Sequence, residues 1–107
     1  MSAVLERLFA TIQARAGDDP AGSHTAGLLA KGAGKCAEKF GEEAVEAIVA
    51  AAQGDRAALK YEAADVLYHL QVMLAAAGVG WDEVLAELER REGVSGVAEK
   101  AARNKPG

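Results

Sequence analysis

The chain is short of the residues that small domains use for chemical bracing. It holds one cysteine, Cys36, in 107 residues, so no internal disulfide forms and no thiolate zinc site can be built from cysteine. A reduced, cytoplasmic setting fits. Aromatic residues supply only 5 % of the chain, and alanine dominates the apolar half. A β-sandwich needs more β-branched and aromatic side chains than that, so closely packed helices are favoured. No apolar run reaches the roughly 20 residues that span a bilayer. The start Met1-Ser2-Ala3-Val4-Leu5-Glu6-Arg7 has no long apolar stretch behind a basic beginning, so neither a signal peptide nor a membrane partner is expected. Lys and Arg number 12 against 16 Asp and Glu, a net charge of −4. That balance offers no basic field to draw nucleic acid.

What remains is a single all-α domain, 1–107, with a basic C-terminal tail at 94–107. Val4, Leu5, Leu8, Phe9 and Ile12 recur at helical spacing and predict a helix over 3–15, with Ser2 as its N-cap. Turn residues from Ala16 to Gly22 predict a loop. Ser23 or Thr25 then caps a short helix through Leu28 and Leu29, ended by Gly32. A long helix is expected from about Gly34 to Gln53 and another from about Arg56 to Ala77. Gly54 as C′ residue and Asp55 as N-cap join them in a tight hairpin. A helix over about 81–92 carries Trp81, Val84, Leu85 and Leu88 on one face, and the tail after Gly93 adds one or two turns.

Two acidic clusters carry the chemistry. On the first long helix, a wheel groups Phe40, Ala44, Val45, Ile48, Val49 and Ala52 on one side and Glu42, Glu43 and Glu46 on the other. Alone this is ordinary, because acidic faces are usually solvated and Lys39 can pair with Glu43 on the surface. The second long helix is different. Val66, Leu67, Leu70, Val72, Met73 and Leu74 leave it almost no polar face, so it is expected to be covered. Glu62 and Asp65 lie on that helix, and a buried unpaired carboxylate costs several kcal/mol. Glu46 is eight residues before Gly54 and Glu62 eight after it, so an antiparallel hairpin sets them at the same height. Five carboxylates converge there, and a multivalent cation is the natural way to neutralise them.

Every candidate ligand is an oxygen, which selects Mg²⁺ or Mn²⁺ over zinc. A di-iron site is disfavoured, since neither Glu62 nor Asp65 is followed three residues later by histidine. A carboxylate-held Mg²⁺ suits a polyphosphate substrate. A helix that is apolar all round in so short a chain predicts a homodimer, with paired hairpins completing a four-helix core.

Glu42-Glu43-x-x-Glu46 followed by Glu62-x-x-Asp65 resembles the signature of the all-α nucleoside triphosphate pyrophosphohydrolases, the MazG-like superfamily. Three stretches resemble one family within it, the phosphoribosyl-ATP pyrophosphatases of histidine biosynthesis: 39–46, 62–70 with Tyr68-His69, and the tail from Ser95 to Arg103. The resemblance implies Mg²⁺-dependent hydrolysis of phosphoribosyl-ATP to phosphoribosyl-AMP and pyrophosphate. It implies Glu42, Glu46, Glu62 and Asp65 as metal ligands, with Glu43 orienting the attacking water or a second metal, so that Glu43 and Glu46 are the catalytic candidates. Lys35 and Lys39 are candidates for substrate phosphate or for plain surface pairing, and His69 for phosphate, a ligand carboxylate or a buried bond to backbone. The resemblance adds Lys100 and Arg103 from the tail, with Ser95 as a candidate there or as the tail's N-cap. The chain departs from the family at Ser23-His24-Thr25, where relatives often carry Ser-Tyr-Thr. Its length leaves no room for the cyclohydrolase domain fused to many relatives, so the stand-alone form is expected. Two other readings stay open on the residues alone: a house-cleaning pyrophosphatase of (d)NTPs, and a non-catalytic metal-binding or dimerisation module. Trp81 reads as a core anchor, Cys36 as a small packed residue and Arg91 as a salt-bridge partner.

Overall fold

The computed structural model describes residues 2–103, and all regular structure among them is helical: α1 Ser2–Arg15, α2 His24–Ala30, α3 Ala33–Ala52, α4 Arg56–Ala77, α5 Trp81–Arg90 and α6 Gly96–Arg103. Positions 104–107 of the expected basic tail lie outside the described residues. No single described helix is long and apolar enough to cross a membrane.

The caps explain where the helices begin and end. Ser23 Oγ accepts from the Ala26 amide at 3.1 Å, which starts α2 and settles the choice between Ser23 and Thr25. Asp55 Oδ1 accepts from the Ala58 amide at 3.0 Å and starts α4. Gly54, with φ +69°, supplies the left-handed residue that reverses the chain between α3 and α4. Ser95 Oγ accepts from the Ala98 amide at 3.1 Å and opens α6. α1 begins at Ser2 itself, so that residue is helical and not the cap expected of it.

The α3–α4 hairpin is the spine of the molecule, with α1 and α2 laid against α4 and α2 also against α3. Ile12, Leu28, Cys36 and Val72 form the buried centre, and Leu8, Leu29, Tyr68 and Met73 pack around it. Cys36 is 1 % exposed and donates its thiol to the Leu28 carbonyl at 3.2 Å, the packing role expected of it. The buried amide of Gln71 donates to the Leu5 carbonyl at 2.9 Å and ties α4 to α1. Phe9 and Trp81 stack with centroids 6.4 Å apart, which makes Trp81 the anchor of α5.

The face of α3 bearing Val45, Ile48 and Val49 is not buried within the chain; these residues are 57 %, 66 % and 46 % exposed. The inward stripe runs instead through Cys36, Phe40, Glu43, Ala47 and Ala50, at alternating spacings of four and three. Small residues in that stripe let the backbones of α3 and α4 come close, and the approach carries Glu43 onto the seam. The cover expected for α4 is also incomplete, since Leu67 is 40 % and Tyr61 66 % exposed.

Candidate active site

Because Glu43 lies on the seam of the hairpin, it faces the start of α4. One carboxylate oxygen each from Glu43, Glu62 and Asp65 lie within 4.8 Å of one another. The Glu43 side chain is only 12 % exposed, and Glu62 Oε2 is buried with no hydrogen-bond partner among the described residues. Glu46, one turn beyond Glu43, reaches both Glu43 and Glu62. Hydrogen bonding to Glu43 and the nearby charges of Glu43 and Glu62 push the Glu46 carboxyl above the usual carboxylate range. Burial acts to raise Glu43, but hydrogen bonds from Glu46 and Lys39 outweigh it and hold Glu43 below its ordinary value.

Among the described residues, Lys39 is the one cation paired with this group. Its Nζ lies 3.4 Å from Glu43 Oε1 and 3.6 Å from Glu42 Oε2, and its pKa is raised, chiefly by hydrogen bonding to Glu43. Glu42 therefore stands at the rim, 58 % exposed and turned to Lys39, outside the group of three. Lys35 lies further along α3 and pairs with Glu38 at 3.1 Å.

On the α4 side the site is backed by imidazole and phenol. His69 is buried, its Nδ1 has no described partner, and burial lowers its pKa against the opposing pull of Glu43. Tyr68 meets the His69 ring edge-on at 4.9 Å, and its hydroxyl shares a 2.5 Å hydrogen bond with Thr25. His24 packs near-parallel to Tyr68, with centroids 6.4 Å apart, and lies edge-on to His69 at the same distance. The departure at Ser23-His24-Thr25 thus has a structural place: Ser23 caps α2, while His24 and Thr25 fasten it to α4.

The structure gathers Glu43, Glu46, Glu62, Asp65, Lys39 and His69. It does not bring the tail residues to them. The described partners of Ser95 and Arg103 lie on α5 and α6: Ser95 spends its hydroxyl on the α6 cap, and Arg103 Nε lies 2.9 Å from Glu99 Oε1. Lys100 is exposed. Sequence reasoning missed Glu99, which is 4 % exposed and is also paired with Arg90 and Arg91. Its signal was present in the i, i+4 spacing of Glu99 and Arg103. Arg91 takes the salt-bridge role expected of it, 3.1 Å from Glu87.

The carboxylate group matches a hard divalent cation in two ways: all its donors are oxygens, and one buried oxygen lacks a partner. Residues 5–92 match the family described as phosphoribosyl-ATP pyrophosphohydrolase. The chain belongs to that family. It is 72 % identical to a phosphoribosyl-ATP pyrophosphatase of Rhodobacter capsulatus over 92 % of this chain and 96 % of the relative. A relative of the same name from Cereibacter sphaeroides is 71 % identical over 94 % of this chain and 97 % of its own length. A third, from Dinoroseobacter shibae, is 72 % identical over 94 % and 98 %. The family match ends at 92, before α6, so the helices that build the carboxylate group lie within it and the tail does not.

Proposed function

We propose that the chain hydrolyses phosphoribosyl-ATP to phosphoribosyl-AMP and pyrophosphate in histidine biosynthesis, in the cytoplasm, at the Glu43–Glu62–Asp65 group. The observation that carries this reading is the buried, unpartnered oxygen of Glu62 among three mutually close carboxylates, in a chain so similar to pyrophosphatases of that name. Glu43, Glu62 and Asp65 would hold Mg²⁺, with Mn²⁺ as a substitute. Bound there, the ion supplies charge compensation for the polyphosphate and acidifies water.

The chain's own side chains do the rest. Glu46 has the raised carboxyl pKa of the group, reaches Glu43 and Glu62, and is the acid best placed to take a proton from attacking water. Lys39 holds Glu43 ionised, and with a cation at Glu43 its ammonium would be free to turn towards substrate phosphate. Glu42, at the rim, positions Lys39. His69 faces the same space with an unpartnered Nδ1 and can order a phosphate oxygen or a carboxylate.

The exposed row Val45, Ile48 and Val49 on α3, with Leu67 and Tyr61 on α4, is the surface we assign to a homodimer. The Cα radius of gyration of 16.0 Å supports this, since a self-contained chain of about 100 residues has about 13 Å.

The experiment is release of pyrophosphate from phosphoribosyl-ATP, measured beside a panel of dNTPs, with Mg²⁺ and with EDTA. The reading expects phosphoribosyl-ATP to be preferred by orders of magnitude and Asp65→Asn to abolish turnover of a folded protein. Equal rates on dNTPs, or wild-type rates from the variant, would contradict it.

A further inference from the structure

Phosphoribosyl-ATP differs from ATP by a phosphorylated ribose, so an enzyme that separates the two must grip a phosphate remote from the triphosphate. The molecule carries a groove suited to that task. A depression of about 530 Å³ lies along α2, walled by Pro20, Ser23, His24, Gly27 and Lys31. A smaller one of about 140 Å³ is lined by Lys31, Lys35 and Lys39 together with Glu38 and Glu42. The two share Leu28 and Lys31, so they meet there. The larger falls in the range of roughly 300–1,000 Å³ that small-molecule sites occupy.

One end of this groove reaches the carboxylates and the other reaches His69. Lys39, in the small depression, is 3.4 Å from Glu43. His24, in the large one, lies 6.4 Å from His69, and Thr25 fastens α2 to Tyr68 beside it. The wall is therefore held in place before anything binds. The three lysines are not equivalent. Lys39 is paired with Glu43 and Glu42, and Lys35 with Glu38. Lys31 is exposed and has no described carboxylate within ion-pair distance, so its charge is available to a ligand. It sits at the C-cap of α2, just before Gly32, whose φ of +91° turns the chain into α3.

We propose that Lys31 is a specificity-determining residue, which binds the phosphate of the phosphoribosyl group while His24 flanks the base between it and the carboxylate group. This rests on the proposed reaction at Glu43, Glu62 and Asp65. A single charge-assisted hydrogen bond to a phosphomonoester accounts for a 10- to 100-fold preference.

The test compares kcat/KM for phosphoribosyl-ATP and for ATP in wild type, Lys31→Ala, Lys31→Arg and, as a control, Lys60→Ala. Lys60 lies over the Tyr61 ring at 4.9 Å and does not line the groove. Lys31→Ala should lower the ratio of the two constants by about 10- to 100-fold, Lys31→Arg should restore most of it, and Lys60→Ala should leave it unchanged. A ratio within twofold of wild type in Lys31→Ala, or an equal loss on both substrates, overturns the assignment. If wild type fails to hydrolyse phosphoribosyl-ATP, the proposed reaction falls and takes this inference with it. If wild type turns over and only the Lys31 effect is missing, the inference alone falls. Circular dichroism on each variant separates loss of binding from loss of fold.

Discussion

Glu62→Gln removes one charge from the α3–α4 group and almost no volume. The oxygens of Glu43, Glu62 and Asp65 lie within 4.8 Å of one another; at that distance and an effective dielectric near 20, each ionised pair repels by roughly 3.5 kcal/mol. Glu62 takes part in two such pairs, so full ionisation at that spacing would put the relief at about 7 kcal/mol in the protein without metal. Most of that is never realised. Asp65 is exposed, so its charge is screened by solvent. A realistic gain is roughly 1–2 kcal/mol, or about 5–10 °C in Tm for a domain of this size. With Mg²⁺ the order reverses: at 100 times its Kd the ion stabilises wild type by about 2.7 kcal/mol, and the variant gains little of that. Thermal unfolding by circular dichroism, in EDTA and then in millimolar Mg²⁺, reads both halves. Turnover should fall at least about 100-fold, as for loss of a preorganised electrostatic group. A variant that melts lower than wild type in EDTA, or that keeps the full Mg²⁺ shift, refutes the reasoning.

Three further outcomes follow from other parts of the molecule. Glu99→Ala removes the buried acid that gathers Arg90, Arg91 and Arg103, so amide exchange across α6 should rise at least about tenfold while α3 and α4 stay protected; unchanged exchange in α6 would contradict this. Ile48→Asp puts a charge in the exposed apolar row, and light scattering should move from dimer to monomer, whereas a monomeric wild type at micromolar concentration would remove the dimer from the account. Titration separates two sites by sign. The raised pKa of Glu46 favours the fold at low pH, and that contribution is lost as pH climbs from 4.5 through its folded value. Glu87, pulled down to about 2 by hydrogen bonds from Arg90 and Arg91, does the opposite and loses its contribution only as pH falls from 4.5 towards 2. In EDTA, Glu46→Gln should abolish the decline on the alkaline side and leave the acid limb in place; an unchanged alkaline decline would count against the cluster.

The helices were legible where short-range chemistry decides them. Asp55 and Gly54 announce the hairpin because a cap and a left-handed turn are local events, and α4 runs from Arg56 to Ala77 as its sequence predicts. The pairing of Glu46 with Glu62 was also legible, because equal distances from a tight turn fix equal heights. The inward face of α3 was not. A wheel ranks faces by side-chain hydrophobicity, and Val45, Ile48 and Val49 outrank Cys36, Ala47 and Ala50. The hairpin selects the smaller stripe, because close helix approach rewards small residues, and leaves the larger one exposed. That same choice carries Glu43 inward and Glu42 outward, a distinction that one residue of spacing cannot announce. The tail was read from its basic residues, while its position depends on Glu99, an acid whose value appears only once three arginines converge on it.

The proposed chemistry stands on one hard divalent cation held jointly by Glu43, Glu62 and Asp65. Titrating Mg²⁺ into metal-free protein by isothermal calorimetry, with pyrophosphate release followed on the same samples, tests it most directly. Binding should be saturable and abolished by both Glu62→Gln and Asp65→Asn, with turnover rising along the same isotherm. Turnover in EDTA equal to that in Mg²⁺, or Mg²⁺ binding unchanged in both variants, would contradict it.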